Sequence, residues 1–207
     1  MKISDKNYII GVTGGVGAGK STVLYYLENE FGARVYQADR ISRSLTLSDG
    51  PAFNDVVALF GQEIIMPDGN VDRNEIARIV FHDPEKREAL NAIIHPAVRR
   101  FLFHKARTRD GIIVFEAALP VEGDFKNLCD EIWYVRADED TRVRRVTAAR
   151  GYTEEKAREI IASQLTDAEY ARLSDVIIDN NGDVQDVKEQ IAVEIKRINS
   201  FFNGNKA

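Results

Sequence analysis

Residues Gly14, Gly15, Val16, Gly17, Ala18, Gly19, Lys20 and Ser21 satisfy the pattern G-x-x-x-x-G-K-[ST] at every position. A short apolar run from Tyr8 to Val12 precedes them and reads as a buried strand. Lys20 to Glu30 follows, with Val23, Leu24 and Leu27 on one side of a helix. A glycine-rich turn between strand and helix lets backbone N–H groups point inward and surround phosphates. The helix N-terminus adds partial positive charge. On this reading Gly15, Val16, Gly17, Ala18, Gly19, Lys20, Ser21 and Thr22 hold ATP. Lys20 reaches the β- and γ-phosphates, and the Ser21 hydroxyl ligates Mg²⁺.

The rest of the chain fits an α/β frame. Ala33 to Tyr36 is a second strand candidate, followed by Gly111 to Phe115, Glu131 to Val135 and Asp175 to Ile178. Between the second and third, helices are expected over Arg73 to Phe81, Pro84 to Ile94 and Pro96 to Arg107, two of them opening on proline. Glu63 to Met66 is the one strand candidate of that middle region, ahead of a turn at Pro67 to Asn70. An arginine-laden helix spans Asp138 to Ala149, and Thr153 caps another that runs to Gln164. An amphipathic helix closes the chain from Val184 to Phe201, and Asn203 to Ala207 are expected to fray. The fold class is therefore α/β, a three-layer P-loop NTPase fold with a five-stranded parallel sheet, a helical acceptor-binding insertion and a lid. The core takes about 7–40, 110–137 and 170–202, the insertion about 41–108 and the lid about 138–168.

Composition narrows the function. The 207 residues carry a net charge of −5, which argues against a nucleic-acid partner held by bulk electrostatics. Cys129 is the single cysteine, so no internal disulfide forms, which suits a reducing cytosol. The polar Met1 to Asn7 lacks a signal-peptide core, and no run approaches the ~18 apolar residues of a membrane span. A cytoplasmic protein is expected, with no membrane contact and no obligate protein partner. No cluster of His, Cys and carboxylates suggests a fixed transition metal. The guanine signature Asn-Lys-x-Asp is absent, and the chain is short for a motor domain, so small-molecule kinases remain.

Asp39 lies just beyond the second strand, where open parallel sheets bind ligands. A carboxylate there either accepts a proton from an attacking hydroxyl or caps the helix starting near Arg40. Arg142, Arg144, Arg145 and Arg150 follow the fourth strand. They either clamp the transferred phosphoryl group or form a solvated helix face paired with Asp138, Glu139 and Asp140; Arg145 and Arg150 are favoured as ligands.

Beyond the generic phosphate loop, a more selective series runs along the chain. It comprises Ala38-Asp39 with Arg43, Asp68-Gly69 with Asp72-Arg73 and Val80-Phe81, Leu90 to Pro96 ending in His95-Pro96, Ser163-Gln164, and Asp175 to Gly182. In these motifs the chain resembles the dephospho-coenzyme A kinase family over nearly its whole length. The resemblance implies ATP-dependent phosphorylation of the ribose 3′-hydroxyl of dephospho-coenzyme A, the last step of coenzyme A synthesis. It places the family's general base on Asp39, its acceptor-side arginine on Arg73 and its adenine-contacting asparagine on Asn180. Thr13 matches a threonine of the extended loop motif and lines the acceptor site. His95 matches a family signature; it is either an acceptor ligand or a buried, hydrogen-bonded histidine beside a helix-opening proline. Three departures stand out. Gln37 replaces the first of two aspartates flanking Ala38. The stretch Ala118 to Glu122 replaces Pro-Leu-Leu-Phe-Glu, which leaves Glu116 and Glu122 as rival carboxylates. The lid arginines Arg145 and Arg150 are five positions apart where the family commonly has four. Another small-molecule kinase, acting on nucleoside monophosphates or sugar acids, and a non-catalytic ATP-binding regulatory module are the rival readings.

Overall fold

A computed structural model describes residues 6–117 and 123–204. Five strands, β1 (Asn7–Thr13), β2 (Arg34–Gln37), β3 (Gly111–Glu116), β4 (Glu131–Arg136) and β5 (Val176–Asp179), form one sheet in the order β2-β3-β1-β4-β5. The β1–β3, β1–β4 and β4–β5 pairs are parallel. This is the sheet expected from the sequence, and the middles of its central strands are apolar because they are covered on both faces. Ile10, Val12, Ile112, Val114, Trp133 and Val135 join one core cluster, whereas the alternate residues Ile9, Ile113, Phe115 and Ile132 are also buried.

The helices are α1 (Lys20–Asn29), α2 (Ala38–Leu45), α3 (Phe53–Phe60), α4 (Arg73–His82), α5 (Pro84–Thr108), α6 (Glu139–Arg150), α7 (Glu154–Ala162), α8 (Asp167–Leu173) and α9 (Val184–Gly204). Val23, Leu24 and Leu27 of α1 meet Val187, Ile191, Ile195 and Ile198 of α9 in the main core cluster. Two compact units result: residues 1–36 with 106–207, and residues 37–105. The first holds the sheet, α1 and α6 to α9; the second holds α2 to α4 and most of α5.

Four local expectations are corrected. The two helices expected to meet at Pro96 are one 25-residue helix, α5. Proline 96 cannot donate to the carbonyl of Ala92, but Ala92 lies on the exposed face, where the missing bond is tolerated, while buried Ile94, Ala97, Leu102 and Ala106 hold the helix together. Glu63 to Met66 is not a strand: Gln62–Ile64 is a 3₁₀ turn that buries Ile64, and Ile65 makes only an isolated antiparallel bridge to Val71. Helix α8 was missed, although Thr166 and Glu169 form a reciprocal capping box at its start. The last helix runs to Gly204, beyond the expected stop at Phe201.

Strand β5 is an edge. The Gln190 side chain in α9 accepts from Asp179 N–H (2.8 Å) and donates to the Asp179 carbonyl (2.9 Å), imitating a neighbouring strand. At the opposite end of the sheet's interior, the buried Glu131 carboxylate accepts from Trp133 Nε1 (2.7 Å), Tyr8 Oη (3.1 Å) and Arg197 Nη2 (2.7 Å). That network ties α9 to β1 and β4. Burial and the Glu131 charge push the Tyr8 hydroxyl up to about 12.

Candidate active site

Strand β1 ends at Thr13, and the phosphate loop occupies the turn between it and α1. Gly19 is the N-cap residue of α1 with φ 90°, and no side chain caps the helix. The N–H groups of Gly17 and Gly19 donate to no acceptor among the described residues. Uncapped N–H groups at a helix start are what an anion requires. Lys20 Nζ rests on the carbonyls of Gly14 (2.7 Å) and Gly15 (3.3 Å), so its charge is held at the loop. The Thr13 hydroxyl is buried and has no hydrogen-bond partner among the described residues. A stranded buried hydroxyl costs about 1–3 kcal/mol, so a ligand or water completes it.

The lid helices stand against the same loop. Arg145 donates through Nη2 to the Asn180 carbonyl (2.9 Å) and through Nη1 to the carbonyls of Gly17 and Ala18 (both 3.4 Å). Asn180 is buried, and its amide Nδ2 donates to the Ala18 carbonyl at 2.7 Å. The expected adenine contact thus has its side chain joined to the loop, while its neighbour Asn181 borders open space. Thr141, Arg144, Arg145, Ala148 and Asn181 line a cavity of about 300 Å³. Arg142 is buried, donating through Nε to the Val16 carbonyl (2.9 Å) and through Nη2 to Gln164 Oε1 (2.7 Å). Gln164 Oε1 also accepts from Val16 N–H (2.9 Å). Arg150 is not at the loop; it is exposed at the end of α6, its guanidinium 6.0 Å from the Tyr152 ring. Five residues of helix turn a side chain about 140° away, whereas four would turn it only about 40°. That is why Arg145 and Arg150 do not share a face.

Glu116 ends β3 beside Val12 of β1 and is 9% exposed. Its place at the carboxyl end of the strand next to the loop was readable from the strand assignment. The rival Glu122 lies outside the described residues. Oxygen donors, the Ser21 hydroxyl at the exposed start of α1 and the Glu116 carboxylate, suit a hard cation such as Mg²⁺ bound chiefly through phosphates and water. Among the described residues no group of three or more His, Cys, Asp and Glu forms a protein-only metal cage. Nor is any helix among them long and apolar enough to cross a membrane. Burial, then the Asp130 and Asp175 charges, push the half-buried Cys129 thiol up.

Asp39, Arg43, Arg73 and His95 belong to the second unit. Asp39 falls in the first turn of α2, whose N-cap is Gln37, so Asp39 does not cap the helix. Arg73 opens α4 immediately after its cap Asp72 and donates through Nη1 to the buried Thr46 hydroxyl (2.9 Å). Burial, then the neighbouring Arg43 charge, pull the Arg73 pKa down, while Asp39 opposes them. Arg73 therefore feels both charges within the unit. His95 is exposed on α5, which excludes the buried-histidine reading and leaves its ring open to a ligand.

A phosphate loop on a five-stranded parallel sheet, with an arginine-bearing lid on the loop, defines a P-loop kinase. Residues 8–186 match the family model described as dephospho-CoA kinase, and the chain belongs to that family. Proteins named dephospho-CoA kinase are 37% identical over 193 residues in Carboxydothermus hydrogenoformans and 38% identical over 187 residues in Geobacter sulfurreducens. The alignments cover 91% and 88% of this chain, and 93% and 94% of those proteins. A crystal structure from Thermus thermophilus superposes with a TM-score of 0.76 at 30% identity, covering 92% of this chain and 97% of that one. A dephospho-CoA kinase from Campylobacter jejuni gives 0.69 at 21% identity, covering 96% and 99%, which speaks for the fold alone.

Proposed function

We propose that this kinase transfers the γ-phosphoryl group of ATP to the ribose 3′-hydroxyl of dephospho-coenzyme A, giving coenzyme A and ADP in the cytoplasm. The observation that carries the reading is the phosphate loop, with Lys20 Nζ held on its carbonyls, in a chain of this family. The ATP phosphates lie along Gly15 to Thr22, and the adenine enters the cavity beside Arg145, where a guanidinium plane offers a stacking surface. Asn180 ties the turn that carries Asn181, at the cavity's wall, to the phosphate loop. Mg²⁺, when bound to the nucleotide phosphates, screens their charge, and Ser21 with Glu116 would hold it.

In the transfer step the Asp39 carboxylate takes the proton from the 3′-hydroxyl. The oxygen forms a bond to the γ-phosphorus while the bond from that phosphorus to the β–γ bridging oxygen breaks, and ADP leaves. Little covalent work falls to the protein; positioning and charge stabilisation dominate. Lys20 and Arg145 serve the phosphates, Arg73 and His95 hold the acceptor, and the stranded Thr13 hydroxyl finds its partner there. Arg150 joins the phosphates only if the end of α6 moves.

The test is ADP release from ATP and Mg²⁺ with dephospho-coenzyme A beside a panel of nucleoside monophosphates and sugar acids. Turnover confined to dephospho-coenzyme A, with product phosphorylated at the ribose 3′ position, is expected. Turnover with a different acceptor would discard the acceptor and keep the kinase. ATP binding with no turnover would favour the regulatory reading.

A further inference from the structure

The phosphate loop is gripped by two side chains that lie 126 and 148 positions away in sequence from the residue they hold. Both backbone polar groups of Val16 are occupied: its carbonyl by Arg142 Nε and its N–H by Gln164 Oε1. The same Gln164 oxygen accepts from Arg142 Nη2, so the three residues close a ring of hydrogen bonds. The Val16 side chain packs on Val143, Val146, Ala157 and Ile161 of α6 and α7. This end of the loop is therefore built into the lid helices rather than lying on them.

Two features bear on what the grip is for. Arg142 is 4% exposed and makes no ion pair among the described residues. A guanidinium out of water is expensive without a counter-charge. The nucleotide phosphates that the loop receives supply one. The second feature is the loop's glycine content. The G-x-x-x-x-G-K-[ST] pattern leaves its second and fourth positions open, yet both are glycine here. Gly15 does not have a left-handed φ, so the backbone alone would admit alanine. A Cβ there would strike Arg142 Nη2 and come within 2.8 Å of Gln164 Oε1. A Cβ on Gly17 would come within 2.7 Å of the Arg142 carbonyl.

We infer that Arg142 and Gln164 are positioning residues for phosphoryl transfer, holding Val16 so that the loop is preformed for the phosphates, and that glycine at position 15 is demanded by Arg142. The inference rests on the loop binding ATP. A fluorescent ATP analogue is titrated against wild type, Gly15→Ala, Arg142→Ala and the double variant. Gly15→Ala should weaken binding at least about tenfold, as overpacking against a fixed guanidinium does. Arg142→Ala should weaken it about five- to tenfold. The double variant should bind within about twofold of Arg142→Ala, because the guanidinium collision is gone and Gln164 Oε1, released by Arg142, can shift from the added Cβ. Losses that multiply in the double variant would overturn the inference. Failure of the wild type to bind the analogue would instead sink the nucleotide-binding reading itself, and the grip with it. Arg142→Lys keeps the charge and one donor, and guards against a variant that does not fold. It should recover part of the affinity, in the single variant and beside Gly15→Ala. In turnover assays Arg142→Ala should raise KM for ATP and leave KM for dephospho-coenzyme A within about twofold; an equal rise in both would mark a merely structural role.

Discussion

Replacing Asn180 by aspartate exchanges one heavy atom, an amide nitrogen for an oxygen, and inverts the sense of a buried hydrogen bond. Asn180 is 4% exposed, and its Nδ2 donates to the Ala18 carbonyl at 2.7 Å. In Asn180→Asp an ionised carboxylate oxygen would face that carbonyl, while a protonated one could still donate to it. Volume is conserved, so no cavity term enters. Desolvation and the facing carbonyl favour the protonated form against the Arg145 guanidinium, which donates to the same Ala18 carbonyl, and raise the folded-state pKa by about 2 units above the ~3.9 of an unfolded aspartate. At about 1.36 kcal/mol per unit, the variant loses about 3 kcal/mol at pH 7.5. The sign follows from linkage. A folded pKa above the unfolded one means that the folded state keeps its proton longer, so stability is present at low pH and lost as pH rises through about 4 to 6. At pH 4.5 the loss should shrink to about 1 kcal/mol. In melting temperature the pH 7.5 loss corresponds to about 6–12 °C for a chain of this size. Urea unfolding followed by the fluorescence of the fully buried Trp133 measures the difference from wild type at both pH values. A penalty of equal size at pH 4.5 and 7.5 would refute the claim that the amide acts by donating to Ala18.

The other expected outcomes address the chemistry and the charge network. Lys20→Ala should lose most phosphoryl transfer in an ADP-release assay, and a variant turning over at the wild-type rate would dismiss the loop assignment. Asp39→Asn should cut kcat by roughly 10²–10⁴ with ATP affinity nearly intact; unchanged turnover would remove Asp39 from the general-base role. Tyr8 has a folded pKa of about 12, above its ordinary value of 10, so its contribution is complete below pH 10 and lost as pH rises toward 12. Tyr8→Phe should therefore show a shallower alkaline loss of stability than wild type in urea titrations between those pH values.

Much of the fold is legible because it rests on local signals. The strands announce themselves as apolar runs, and the loop pattern with its flanking elements marks the nucleotide site. What escaped was mostly non-local. Arg142 looks like any arginine of a charged helix, since Glu139, Asp140, Arg144 and Arg145 surround it in sequence. Its burial depends on Val16 and Gln164, distant in the chain, and no periodicity reports that. Pro96 invites a helix start, and only the exposure of Ala92 together with the buried face of α5 explains why the helix runs through. Glu63 to Met66 is apolar enough for a strand but has no partner strand, only the bridge to Val71. Two misses were readable. The capping box at Thr166 and Glu169 is a local signature of α8, and the five-residue spacing of Arg145 and Arg150 already implies different helix faces.

The amide of Gln190 on Asp179 also bears on how the protein behaves in a crowded solution. An edge strand offers its unpaired N–H and C=O groups to any passing strand, and β5 adds an exposed Ile177. At the carboxyl end of β5 both groups of Asp179 are already taken by a side chain from within the molecule. The four-residue strand is left too short to template a second sheet without first stripping Gln190 away. A single glutamine thus makes stacking of copies along this edge costly.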